Sequence, residues 1–129
     1  MYNEKIMTVL QNPQNVGIIK GANAVGKACS DVCSDILKFY FLIENGVVAD
    51  AKFKTFGGSA LIAVASVTTC LVEGRTVDEL LAFDTNEILQ VLGALPSKKG
   101  YCLGLVKQAL NSAVADYYKR LEKEQQNLD

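Results

Sequence analysis

The feature that most constrains this chain is a pair of alternating stretches joined by a two-residue turn. Between Val32 and Glu44 the odd positions Leu37, Phe39, Phe41 and Ile43 are all apolar. The even positions mix Lys38 and Glu44 with Tyr40 and Leu42, so the odd side is the candidate core face. A period of two belongs to a strand with one buried face. Asn45-Gly46 follows, a strong short-range hairpin signal. Val47 to Phe56 returns as a second strand, with Lys52 and Lys54 on one side and Ala51, Phe53 and Thr55 on the other. Such a hairpin needs an apolar cover on one face.

The rest of the chain supplies that cover as helices. Ser59 is placed to cap a buried helix running to about Glu73 and stopped by Gly74. Thr76-Val77-Asp78-Glu79 has the capping-box pattern, and a further helix is expected over Thr85–Leu92. The last helix begins near Cys102 and sets Leu103, Val106, Leu110, Ala113, Val114, Tyr117 and Leu121 along one face. Its charged tail, Arg120 to Asp129, is expected to fray. Ahead of the hairpin, residues 2–11 read as a helix stopped by Asn12-Pro13. Residues 14–28, with Gly17, Gly21 and Gly26, read as a loop or short edge strand. Strands first and helices afterwards predict an α+β fold, a small antiparallel β-sheet of about three strands packed on one face by helices. A length of 129 residues fits one domain, 1–129.

Composition narrows the chemistry. A net charge of −1 gives no reason to expect nucleic acid or electrostatic membrane docking. The longest mostly apolar run, Ala60 to Val67, falls well short of the ~20 residues that span a bilayer. Met1 leads into a polar segment rather than a signal peptide, so a cytoplasmic protein is expected. In that compartment the four Cys are thiols or metal ligands sooner than disulfides. The chain has no His, which removes the usual general base and the commonest metal ligand.

Three places can then supply reactive or ligating groups. In Ala28-Cys29-Ser30-Asp31-Val32-Cys33-Ser34-Asp35, an extended backbone would put Cys29, Asp31, Cys33 and Asp35 on one face. Gly57-Gly58 forms the junction between the second hairpin strand and a helix N-terminus. Cys102 opens the last helix, where the helix dipole and Lys99 favour a thiolate. Packing competes with each role. Cys33 shares parity with Leu37 and Phe39 and fits the core, and Cys70, inside an apolar helix, reads as core or inert. Cys29 and Cys102 alone divide evenly between site and packing. Asp31, a carboxylate beside apolar residues, wants a partner.

Taken in order, these residues resemble the IscU/NifU-type iron–sulfur cluster assembly scaffold, from Tyr2 to about Arg120. Asn12-Pro13-Gln14-Asn15-Val16-Gly17 resembles that family's Asn-Pro-x-Asn-Val-Gly segment, and Ala28-Cys29-Ser30-Asp31-Val32 its Ala-Cys-Gly-Asp-Val motif. Asp50 to Gly57 resembles the approach to the second ligand. Leu95-Pro96 through Cys102 resembles the chaperone-recognition loop and third ligand, and Ala113-Val114-Ala115-Asp116-Tyr117 closes the match. The resemblance implies a scaffold that accepts sulfur and iron and passes on a [2Fe–2S] cluster, a carrier rather than an enzyme. Cys29, Asp31 and Cys102 are then metal ligands, with Cys102 the first candidate for persulfide and Cys29 the second. The implied partners are a cysteine desulfurase, recipient apo-proteins and a DnaK-like chaperone at Leu95, Pro96 and Lys99.

The departures fall on the ligands. Gly58 stands where the family has its second ligand Cys. A substitution keeps Ile62, Ala63 and Ser66 in register, whereas a deletion aligns Gly58-Ser59-Ala60 with the family's Gly-Ser-Ala; either way the thiol is missing. Tyr101 replaces the His before the third Cys, and the chaperone loop reads Leu95-Pro96-Ser97-Lys98-Lys99. A [2Fe–2S] cluster has four terminal ligand sites, so this set is one short. Cys33 can complete it, two subunits of a homodimer can share a cluster, or no stable cluster forms. The same residues could instead hold zinc in a sulfur-relay protein, or the chain could bind the desulfurase without carrying a cluster.

Overall fold

The computed structural model describes residues 2–31 and 34–128. At its centre lies the expected hairpin, β2 (Ile36–Glu44) and β3 (Val47–Phe56), antiparallel with Phe39 opposite Phe53. Asn45 and Gly46 have φ of 54° and 75°, the paired left-handed residues that match a tight turn to the twist of its strands. β1 (Ala24–Cys29) pairs with the other side of β2, giving the order β1-β2-β3. Leu37, Phe39 and Phe41 are fully buried and Ile43 nearly so, as the alternation requires. The Phe39 and Phe41 rings stack with centroids 5.3 Å apart.

Helices cover that face. α1 (Glu4–Gln11) is capped by Asn3, whose side chain accepts from the Ile6 N–H. α2 (Ser59–Val72) buries ten of its fourteen residues. Its N-cap is Gly58 rather than Ser59, which is already helical. α3 (Val77–Leu81) opens with the predicted capping box between Thr76 and Glu79. α4 (Asn86–Leu92) is tied back to the α2–α3 connection by an Arg75–Glu87 ion pair. α5 (Tyr101–Leu128) buries Cys102, Leu105, Val106, Ala109, Leu110, Ala113 and Val114, a stripe rotated from the predicted one; Leu103 sits at its rim and Leu121 is exposed. The tail expected to fray is helical through Leu128. Its Glu, Lys, Gln and Leu are good helix formers, and Arg120 pairs with Asp116 one turn earlier at 3.0 Å.

Cys70, read from sequence as core or inert, is not in the core. It lies exposed on the outer side of α2, at the mouth of an apolar groove lined by Val9, Val67, Leu71 and Val91. Because α2 is apolar nearly all round, sequence periodicity carries no information about which side faces out. Partial burial, aided by Glu73, pushes the Cys70 thiol above its ordinary pKa.

Both margins of the sheet are occupied. Along β1 the Val25 N–H donates to Asp116 Oδ2 at 2.8 Å and the Lys27 N–H to Ser112 Oγ at 3.2 Å, both from α5. The approach is so close that a Cβ on Gly26 would penetrate the Ala109 carbonyl oxygen and the Ala113 nitrogen. Along β3, the Gly17 N–H donates to the Phe53 carbonyl and the Phe53 N–H to the Asn15 carbonyl. Farther along, Val48 exchanges the same pair of bonds with Gly74 and Arg75. The Asn12–Gly17 segment is thus a strap, fastened also to α2 where the Ser66 hydroxyl bonds both backbone groups of Gln14.

Candidate functional site

The candidate site is the corner where the β1–β2 connection, the β3–α2 junction and the N-terminus of α5 converge. Cys29 ends β1 opposite Ile36, and the Ser30 N–H donates to the Asp35 carbonyl at 2.9 Å, closing the loop between the strands. β1 therefore ends at Cys29 and β2 begins at Ile36, with Ser30, Asp31, Ser34 and Asp35 outside both strands. Cys29 and Asp31 are exposed while Asp35 is buried, which corrects the expectation that Asp35 shares their face. Cys29 is exposed and leaves the sheet on the same side as Lys27. Asp31 is exposed, whereas Asp35 turns inward and is only 9% exposed. Val32 and Cys33 lie outside the described residues, and with them the question of whether Cys33 is ligand or core.

Asp35 is the residue that sequence reasoning left without a role. Its Oδ2 accepts a hydrogen bond of 2.5 Å from the Tyr101 hydroxyl. The same carboxylate rests over Gly57, where an added Cβ would come within 2.7 Å of Oδ1. A side chain at position 57 would therefore displace the Asp35 carboxylate from its place. Gly58 differs, since a Cβ there would meet nothing within 4 Å and its φ of −81° suits any residue. The position that lacks a thiol has room for one. The signal that could have found the pair was Tyr101 itself, a hydroxyl donor where the resembling family has an imidazole.

Cys29, Ser30, Asp31 and Tyr101 line one groove with Gly104, Leu105 and Gln108 from the first turns of α5. Cys102 follows Tyr101 directly but faces the core and is fully buried. The structure thus brings Cys29 and Asp31 together in an open groove and sets Cys102 behind it. Among the described residues no three Cys, Asp or Glu side chains lie close enough to hold one ion. The Leu95–Lys99 loop leads into this corner. The Lys99 N–H closes a turn onto the Pro96 carbonyl at 2.8 Å, and Leu95 packs against the core. Lys99 Nζ lies 6.0 Å from the Tyr101 ring centroid. No helix among the described residues is long and apolar enough to cross a membrane.

A three-stranded antiparallel sheet backed by helices, with a Cys–Asp groove where the first hairpin loop meets the last helix, defines a class. The chain belongs to the NifU-like N terminal domain family, whose profile matches residues 1–124. It is 37% identical over 120 residues to the iron-sulfur cluster assembly scaffold protein IscU 1 of Archaeoglobus fulgidus, covering 93% of this chain and 78% of that protein. It is 38% identical over 118 residues to the scaffold protein IscU of Aquifex aeolicus, covering 90% of this chain and 75% of the relative. The fold is shared with a crystal structure from Fervidobacterium islandicum, titled as a SUF-system cluster assembly scaffold, at a TM-score of 0.68 and 23% identity. That superposition covers 88% of this chain and 96% of the other.

Proposed function

We propose that this chain is an iron–sulfur cluster assembly scaffold that carries the cluster as cargo in the cytoplasm. The observation that carries the reading is the near full-length match to scaffold proteins, and Cys29 and Asp31 in one open groove with Tyr101 at the start of α5 support it. Thiolates hold iron in a sulfur-rich site more firmly than a carboxylate does, so Asp31 is the labile member that lets iron in and the cluster out. The resemblance puts Cys102 first and Cys29 second as sulfur acceptors, and exposure favours taking Cys29 first. Cys29 is the exposed thiol that a cysteine desulfurase can reach, and Cys102 takes part only when the loop and α5 separate. With Gly58 in place of a thiol, the fourth ligand comes from Cys33 or from a second subunit, and the cargo is a [2Fe–2S] cluster released to recipient apo-proteins.

Anaerobic reconstitution with iron and sulfide, with a parallel zinc assay, tests this. The expected result is a visible thiolate-to-iron charge-transfer band that Cys29→Ala or Cys102→Ala abolishes. Stoichiometric zinc without that band, or unchanged metal content in both variants, would overturn the reading. Full occupancy in Cys33→Ser assigns the fourth ligand to the second subunit.

A further inference from the structure

The outer face of the sheet, which no helix covers, carries a row of like charges. The register sets Lys27 opposite Lys38 and Lys38 opposite Lys54, so one lysine from each strand leaves on the same face. Adjacent members are separated by only the strand spacing, about 4.8 Å between backbones. Like charges directly opposed destabilise a sheet. The ion pairs among the described residues, Arg75–Glu87 and Arg120–Asp116, include none of these lysines. Lys52 joins them opposite Tyr40, and Lys38 Nζ sits 5.2 Å from the Tyr40 ring centroid. The next rung towards the groove is Cys29–Ile36–Phe56, with Phe56 70% exposed. At the opposite end the same face carries Asp50 and Glu44.

We infer that this face docks an acidic protein segment bearing apolar side chains, its carboxylates on the Lys27–Lys38–Lys54 row and its apolar residues on Ile36 and Phe56, beside Cys29. The chain as a whole has a net charge of −1, so the row is a local concentration and not a by-product of a basic composition. Tyr40, Ile36 and Phe56 between and beside the lysines call for an apolar complement, which a protein segment supplies. Asp50 and Glu44 repel a long uniform polyanion such as nucleic acid that continues past the row. The inference rests on register and charge, not on the cluster reading, and its readouts involve no iron.

The test is fluorescence anisotropy of a short labelled peptide of Glu, Asp, Leu and Phe against the whole chain, at low and high ionic strength. Lys27→Gln/Lys38→Gln/Lys54→Gln is compared with a control triple, Lys5→Gln/Lys119→Gln/Lys123→Gln, at exposed lysines elsewhere. The sheet triple should weaken binding by roughly tenfold or more and the control triple should leave it within about twofold. Bound peptide should protect Cys29 from alkylation and leave exposed Cys70 unprotected. Without peptide, Lys38→Gln should raise the Tm by about 1–4 °C at low salt, because it relieves two opposed pairs. No binding, equal losses in the two triples, equal protection of both thiols, or equally tight binding of single-stranded DNA would each overturn the assignment.

Discussion

Replacing Gly26 by Ala adds one methyl group at the tightest contact in the fold. The new Cβ would overlap the Ala109 carbonyl oxygen and the Ala113 nitrogen and stand 2.8 Å from the Ala113 Cβ. Restoring ordinary contact requires α5 and β1 to separate by about 1 Å, since overlapping atoms must return to normal van der Waals distance. Neither of these two backbone atoms can rotate away. The same separation stretches the Val25–Asp116 and Lys27–Ser112 bonds, now 2.8 Å and 3.2 Å, out of range. Overpacking costs roughly 1–3 kcal/mol, and two lost hydrogen bonds about 0.5–1.5 kcal/mol each. A total near 4 kcal/mol is a large share of the 5–15 kcal/mol typical of a folded domain. With a urea m-value of about 2 kcal/mol/M, the midpoint should fall by about 2 M. The Tm should drop by roughly 15 °C for a chain of this length. Gly104→Ala is the matched control, because a Cβ there meets nothing within 4 Å. In a helix interior that change should stabilise by about 0.5–1 kcal/mol. Two Gly→Ala changes of equal size and sign would refute the close-approach argument.

Three further outcomes follow from the geometry. Tyr101→Phe leaves the buried Asp35 carboxylate without the hydroxyl that bonds it at 2.5 Å, so urea unfolding should show a loss of about 1–3 kcal/mol; an unchanged midpoint would remove the pair from the argument. Gly58→Cys should fold with a Tm close to the parent, because the site is open and its backbone ordinary, and should retain more iron after reconstitution and desalting; equal retention would mean that the fourth ligand is already supplied. Glu79 is held below its ordinary carboxylate pKa by bonds from Thr76, and Glu87 by Arg75. A depressed carboxylate stabilises the fold above its unfolded pKa, near 4.5, and that contribution disappears as pH falls through the lower folded value. Glu79→Gln/Glu87→Gln should therefore lose less Tm than the parent between neutral pH and the acid side of that window, and a parallel acid limb would refute the linkage.

The parts of the fold that were legible are those where one periodicity had one explanation. Leu37, Phe39, Phe41 and Ile43, the Asn45-Gly46 turn and the Thr76–Glu79 capping box each combine a local pattern with a local cause, and each is found as expected. α2 shows the opposite case. An almost wholly apolar helix cannot declare its outer side, so Cys70 reads as core or inert in sequence although it is exposed. Asp35 was hidden for a different reason, because counting parity from Cys29 assumes an extended backbone and β1 ends at Cys29. The Asp35–Tyr101 bond joins residues 66 positions apart and leaves no periodic trace. The closeness of Gly26 to α5 was equally hidden, since a glycine in an edge strand reads the same whether it faces solvent or a helix backbone.

The bonded margins of the sheet also determine how this molecule can be approached. Along β1 the outward amides of Val25 and Lys27 are already taken by Asp116 and Ser112, and along β3 the strap and the Gly74–Arg75 turn occupy Phe53 and Val48. An incoming chain therefore meets these backbone groups already bonded on both sides, which disfavours recognition by strand addition. Visitors must read side chains on a face or in a groove, so their specificity is written in charge and shape and is indifferent to their own secondary structure. A protein organised this way can present an exposed thiol at a strand end without offering these backbone groups as a template for growth.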